Sequence, residues 1–124
     1  MGLFSTKSNE TFPWVKISSI DQLNDVLLNA REKPALFFKH STRCSISSMA
    51  LNSFERYWKH DSDFCDLYFI DLLNYRDVSN EIAILTGVVH QSPQVIVVHQ
   101  KEVLYDATHS SIDGRKIESI LNQQ

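Results

Sequence analysis

Cys44 and Cys65 are the only cysteines in the chain, and their surroundings differ. Cys44 follows the apolar run Ala35-Leu36-Phe37-Phe38-Lys39 and the polar turn His40-Ser41-Thr42-Arg43, and it opens the longest helical pattern in the sequence. Backbone N–H groups at a helix start lack intrahelical partners, and the helix dipole there favours negative charge. A thiolate is stabilised in such a position, and the thiolate is the nucleophilic form of cysteine. Arg43 adds a cationic neighbour. Position alone also fits a small buried thiol with no reactivity. The spacing says more. In Cys44-Ser45-Ile46-Ser47 a hydroxyl stands where a C-x-x-C redox pair has its second sulfur. Ser47, one turn along the helix, is expected to hydrogen-bond the thiolate, yet it cannot form a disulfide. Redox chemistry at Cys44 would therefore be monothiol: its thiolate attacks a mixed disulfide, takes up the small thiol, and is freed by a second thiol.

The other candidates are weaker. Ser92-Pro93 directly precedes the strand-like run Gln94-Val95-Ile96-Val97-Val98. A cis proline there would present the Ser92 backbone to an extended substrate, whereas a trans proline would simply begin an edge strand. Cys65 opens an apolar strand run and reads as a buried, inert thiol. His40, on the loop before Cys44, is placed either to polarise the thiol or to cap the strand end at the surface. His90 and His109 flank the hairpin strands. Ser110-Ser111-Ile112-Asp113 reads as a cap for the last helix, where Ser110 and Ser111 would cap it or help to bind a carboxylate of a small thiol. The five His and two Cys show no metal-ligand spacing, and three Gly leave no phosphate-binding or dinucleotide pattern.

These residues need a scaffold, and the periodicity supplies one. Strand runs at 14–17, 35–39, 65–71, 94–98 and 103–105 are separated by helical spacing at 19–30, from Cys44 to about Lys59, at 74–86, and around Ile117, Ile120 and Leu121. Ser19 with Gln22 fits a capping box, Gly87 fits a helix C-terminus, and Asp61-Ser62-Asp63 reads as a loop. The order is β-α-β-α-β-α-β-β-α. The first three strands alternate with helices, as parallel crossovers do. The turn His99-Gln100-Lys101-Glu102 is short enough to require an antiparallel hairpin. A mixed sheet with helices on both faces follows, as one α/β domain over 14–124 behind a frayed lead-in at 1–13. A length of 124 residues suits one domain, and 43% hydrophobic content suits a packed core. A net charge of −3 lacks the basic excess of a nucleic-acid binder. No apolar run approaches a membrane span. The start carries no signal-peptide pattern, although Gly2 and Thr6 match the loose myristoylation motif. Two cysteines are too few for a disulfide scaffold, so a reducing cytoplasm is expected.

A strand ending before a helix-start cysteine, Ser-Pro before a hairpin, and this element order resemble the thioredoxin superfamily. The stretch Phe37-Phe38-Lys39-His40-Ser41-Thr42-Arg43-Cys44-Ser45-Ile46-Ser47 resembles more closely the YtxJ family, the monothiol bacilliredoxins of the bacillithiol system. That family leads a Lys-His-Ser segment into Thr-Cys-Pro-Ile-Ser, with or without a residue between Thr and Cys. Val78-Ser79-Asn80-Glu81-Ile82-Ala83, Val89-His90-Gln91-Ser92-Pro93-Gln94-Val95 and Ala107-Thr108-His109 are also similar to family segments. The likeness spans nearly the whole domain. It implies a thioredoxin-like fold, Cys44 as the active cysteine and Pro93 as a cis-proline facing it. Arg43, Ser45, Ser92, His40 and His109 are expected around the substrate from their own places in the sequence. The implied activity removes bacillithiol from S-thiolated proteins, with the small thiol as cosubstrate and no bound cofactor. Ser45 departs from the family proline, which fixes a helix start without losing a needed N–H. Serine there is expected to alter reactivity or substrate choice and to leave the nucleophile in place. Two rivals remain: a non-catalytic thioredoxin-fold module that uses the Ser92-Pro93 groove, and iron–sulfur ligation across a dimer. Against the latter, this chain has Cys44-Ser45-Ile46-Ser47 where monothiol glutaredoxins that bind such clusters usually show Cys-Gly-Phe-Ser.

Overall fold

A computed structural model describes residues 12–29, 32–58 and 65–123. The lead-in before Phe12, the myristoylation motif, the end of the first helical run, Lys59 and the loop Asp61-Ser62-Asp63 lie outside these residues. The elements in chain order are β1 (Val15–Lys16), α1 (Ile20–Asn29), β2 (Ala35–His40), α2 (Ser45–Tyr57), β3 (Asp66–Asp71), α3 (Arg76–Thr86), β4 (Gln94–His99), β5 (Glu102–Thr108), a 3₁₀ turn (His109–Ser111) and α4 (Gly114–Leu121). The strands form one sheet in the order β1-β3-β2-β4-β5. β3 runs parallel to β1 and β2, and β4 runs antiparallel to β2 and β5. This is the expected mixed α/β sheet.

Alternation along the strands builds two cores, because successive side chains leave a strand on opposite faces. Leu36 and Phe38 of β2 join Val95 and Val97 of β4 beneath α2 and α4, with Phe54, Ile117 and Leu121. Ala35 and Phe37 join Ile96 and Val98 on the other face, with Leu23 of α1 and Val78 and Ile82 of α3. β2 is therefore buried along its whole length. At the centre of the first core, the Phe54 ring lies 5.2 Å from Trp58, 5.7 Å from Trp14 and 5.8 Å from Phe38.

Local chemistry sets the boundaries. The Gln22 N–H donates to Ser19 Oγ at 3.1 Å, and Gln22 Oε1 accepts from Ser18 N–H at 3.0 Å, a capping box displaced by one residue on its return bond. Gly87 ends α3 at φ +75°, the left-handed conformation that glycine adopts without a Cβ clash. Gln100 and Lys101 both have positive φ between the paired residues His99 and Glu102, as a two-residue hairpin turn demands. β5 is longer than expected, because its pairing with β4 continues to Thr108. Within the expected cap segment Ser110-Ser111-Ile112-Asp113, the cap of α4 is Asp113 and neither serine. Its Oδ1 accepts from Arg115 N–H at 2.9 Å, while Ser110 and Ser111 sit in the 3₁₀ turn.

Candidate functional site

The site is assembled where β2 ends, β4 begins and β5 ends. Lys39 pairs with Gln94, and Gln94 pairs with Thr108. His40, Pro93 and His109 therefore follow one another across three neighbouring strand ends. The Ser92–Pro93 peptide bond is cis, and the Pro93 carbonyl accepts from His109 N–H at 3.1 Å.

Cys44 reaches this end of the sheet through a tight turn. Its N–H donates to the Ser41 carbonyl at 3.1 Å, so Thr42 and Arg43 form the exposed tip. Cys44 is then the N-cap of α2, extended at φ −107° and ψ 118°, and its side chain takes no capping hydrogen bond. Its carbonyl starts the helix by accepting from Ser48 N–H at 3.1 Å. The thiol is half-buried and free. An N-cap side chain lies beside the first N–H groups of its helix, where negative charge is favoured.

The structure corrects two expectations for this turn. Ser47 is fully buried, and its hydroxyl does not bond Cys44. It lies 2.7 Å from His40 Nδ1 and accepts from Ser41 N–H at 3.1 Å. A helical side chain three residues on points back toward the preceding loop, and here that loop has its own unsatisfied donor. His40 is not a surface loop residue: it is the last residue of β2, 6% exposed, with its ring 5.5 Å from Phe69. Burial holds its pKa below the usual histidine value, against the opposing pull of Asp71 and Glu55. The arrangement that uses each group once has Ser41 N–H donating to Ser47 Oγ, and Ser47 donating to a neutral His40. This pair fastens the start of α2 to the end of β2. Ser47→Ala leaves His40 Nδ1 and Ser41 N–H without that partner. It should lower the unfolding free energy by about 1–3 kcal/mol, read from the urea midpoint, while Cys44 still accepts a small thiol. An unchanged midpoint would remove the fastening role.

The remaining candidates fall on either side of Cys44. Arg43 and Thr42 line an open cavity of about 430 Å³ with Leu73 and Asn74. Ile46, Met49 and Ala50 of α2 face His109, Ser110 and Ile112 across a second cavity of about 260 Å³. Ile46 and Met49 are 54% and 71% exposed, an apolar surface beginning two residues from the thiol. Ser45 is exposed on the first turn of α2. Ser92 Oγ is buried without a hydrogen-bond partner among the described residues. No group of three or more potential metal ligands occurs among the described residues.

Cys65 lies apart, fully buried before β3. Burial first, and then Asp66, push its thiol up to about 12. It stays protonated at neutral pH, and a thiol reacts through its thiolate. Iodoacetamide at pH 8 should therefore label Cys44 in the folded protein and reach Cys65 only after denaturation. Labelling of Cys65 at a comparable rate in the native state would contradict this burial.

The family model of the monothiol bacilliredoxin BrxC matches residues 15–117. The chain belongs to the monothiol bacilliredoxin family. A solved structure described as a candidate oxidoreductase with a thioredoxin fold is 32% identical over 86% of this chain and 91% of its own, with a TM-score of 0.72. Thioredoxins from Malassezia sympodialis and Trypanosoma brucei brucei are more distant. The first is 18% identical with a TM-score of 0.65, covering 87% of each chain. The second is 12% identical with a TM-score of 0.68, covering 89% of this chain and 88% of its own. These two bear on the fold alone, which is thioredoxin-like. Family and fold together give this bacilliredoxin a thiol oxidoreductase role, and the family suggests interaction with a low-molecular-weight thiol. No described helix is long and apolar enough to cross a membrane.

A further contact joins β2 to the loop before β4. Lys39 is 0% exposed, and its Nζ lies 3.2 Å from His90 Nδ1, which is also 3.2 Å from Ser79 Oγ. The only signal in the sequence was a lysine inside an otherwise apolar strand run.

Proposed function

We propose that this chain removes a low-molecular-weight thiol, bacillithiol, from S-thiolated proteins in the cytoplasm. The observation that carries the reading is Cys44 at the N-cap of α2, half-exposed, with no second sulfur in its motif.

In the first step the Cys44 thiolate attacks the sulfur of the small thiol in the mixed disulfide. The new bond joins Cys44 Sγ to that sulfur, and the target protein departs as its thiolate, which takes a proton from solvent. In the second step another small thiol, as its thiolate, attacks the same sulfur on Cys44. Cys44 leaves as the thiolate, and the two small thiols depart joined as their disulfide. The balance is one disulfide broken and one formed in each step.

The residues around Cys44 divide this work. The α2 start places its free N–H groups beside the Cys44 side chain. The cis Ser92–Pro93 segment lies beside the end of β2 and would hold an extended target. Arg43 is suited to a carboxylate of the small thiol, and His109 borders the apolar surface made by Ile46 and Met49. The test is intact-protein mass spectrometry during turnover of a bacillithiolated protein. One bacillithiol adduct is expected, on Cys44 and removable by free bacillithiol. An adduct confined to Cys65 would overturn the assignment of Cys44, and target binding with no adduct at all would replace this reading with a non-catalytic module.

A further inference from the structure

Lys39 and His40 are consecutive in β2, so their side chains leave opposite faces of the sheet. His40 reaches Ser47 in the first turn of α2. Lys39 reaches His90, three residues before the cis-proline. The last two residues of one central strand thus bond to both segments that form the site.

The lysine itself requires explanation. Its amine is 0% exposed, and its only hydrogen-bond partner among the described residues is His90. A buried amine without a carboxylate is costly, and burial lowers the Lys39 pKa to about 8. An amine donates a hydrogen bond in either protonation state, so the Lys39 contact to His90 does not depend on its charge. It depends instead on an acceptor at His90 Nδ1. Burial, then Lys39 and Arg76, hold the His90 pKa below the usual value, which favours the neutral ring. With the Lys39 amine as donor, Nδ1 is the acceptor and the ring proton belongs on Nε2. Ser79 of α3, also 0% exposed, lies against the same nitrogen.

The segment they hold has no regular structure of its own. Residues 88–93 connect Gly87 to β4 without helix or strand, and Val89 is 77% exposed. The buried Gln94 adds two further bonds, from its Nε2 to the Val89 carbonyl at 2.9 Å and from Gln91 N–H to its Oε1 at 3.4 Å. These backbone bonds shape the loop. The His90 side-chain bonds anchor it to β2 and α3.

We propose that Lys39, through His90 and Ser79, is a positioning residue that sets the Ser92–Pro93 segment relative to Cys44. This rests on the proposed function for its substrate and on geometry for the rest. β2 then acts as a common reference for both halves of the site, with His40 fixing the thiol side and Lys39 the groove side.

The experiment uses the full chain, a bacillithiolated protein as substrate, and iodoacetamide as a reagent that needs no groove. His90→Leu removes the acceptor, and His90→Asn keeps one near the Nδ1 position. Lys39→Met removes the donor. In His90→Leu and Lys39→Met the KM should rise by about tenfold or more, since misplaced binding groups are costly. The kcat should stay within about twofold, and the rate of Cys44 alkylation should be unchanged. His90→Asn should restore most of the lost KM. An unchanged KM in His90→Leu, or an alkylation rate falling in step with it, would overturn the proposal. Lys39→Met risks the fold, so His90→Leu and His90→Asn carry the decision. Should the native protein release no bacillithiol, the proposed function fails by itself. The anchor is then read by amide exchange over residues 88–92, faster in His90→Leu than in His90→Asn if the proposal holds and equal in both if it does not.

Discussion

Cys44→Ala is expected to fold as the native protein does and to release no small thiol above the uncatalysed background. Both halves follow from the structure. The Cys44 side chain is half-exposed and makes no capping bond, so its loss should change stability by only about 0.5 kcal/mol, as at other surface positions. The chemistry has no substitute at that place. Ser47 is buried and bonded to His40, and a hydroxyl there cannot form the mixed disulfide. Cys65 is fully buried and held as the thiol. Cys65→Ala should therefore retain activity, which makes the two variants a matched pair. De-thiolation measured by the release of the small thiol decides the matter. Activity surviving in Cys44→Ala would remove the assignment outright, and activity lost in Cys65→Ala would give the second thiol a role its burial denies.

Phe54→Ala should have the largest effect on stability. Phe54 is 1% exposed and packs on Phe38, Trp58 and Trp14. Removing a buried phenyl ring costs about 3–5 kcal/mol in lost transfer energy and cavity. Single domains are stable by only about 5–15 kcal/mol, so this one change removes a large share. Phe54 also docks α2, whose N-cap is Cys44, onto the sheet. A urea titration should show the midpoint falling with little change in slope. Well below the transition, Cys44 should still accept the small thiol, because the α2 start is fastened separately by Ser47 and His40. A loss under about 1.5 kcal/mol would mean that α2 is not seated on the aromatic cluster as described.

The element order was legible because its signals are local. Helical spacing in Ile46, Phe54 and Trp58, the glycine after Thr86, and the four-residue turn at His99–Glu102 each act within a few positions. The motif Cys44-Ser45-Ile46-Ser47 was legible for the same reason, since one turn of helix fixes its spacing. The partners of Ser47 were not legible, because the donor Ser41 N–H and the acceptor His40 Nδ1 that take its hydroxyl stand across the turn. Strand alternation alone does not say that the chain still pairs with β3 at His40, opposite Asp71. The cap segment before α4 was legible, but which residue of it caps the helix was not, because a 3₁₀ turn takes up Ser110 and Ser111.

The sequence by itself determined the order of strands and helices, the one-sulfur motif Cys44-Ser45-Ile46-Ser47 and the likeness to the family, because periodicity, turn residues and a contiguous motif are properties of neighbours. Only the tertiary structure decided the partners of Ser47, the depth of His40 and the union of Lys39 with His90. Those depend on which strands lie side by side and on which polar groups are shut away from water together. A buried hydroxyl or amine takes whichever partner the packing brings within reach, and residues 51 positions apart become neighbours only when the sheet closes.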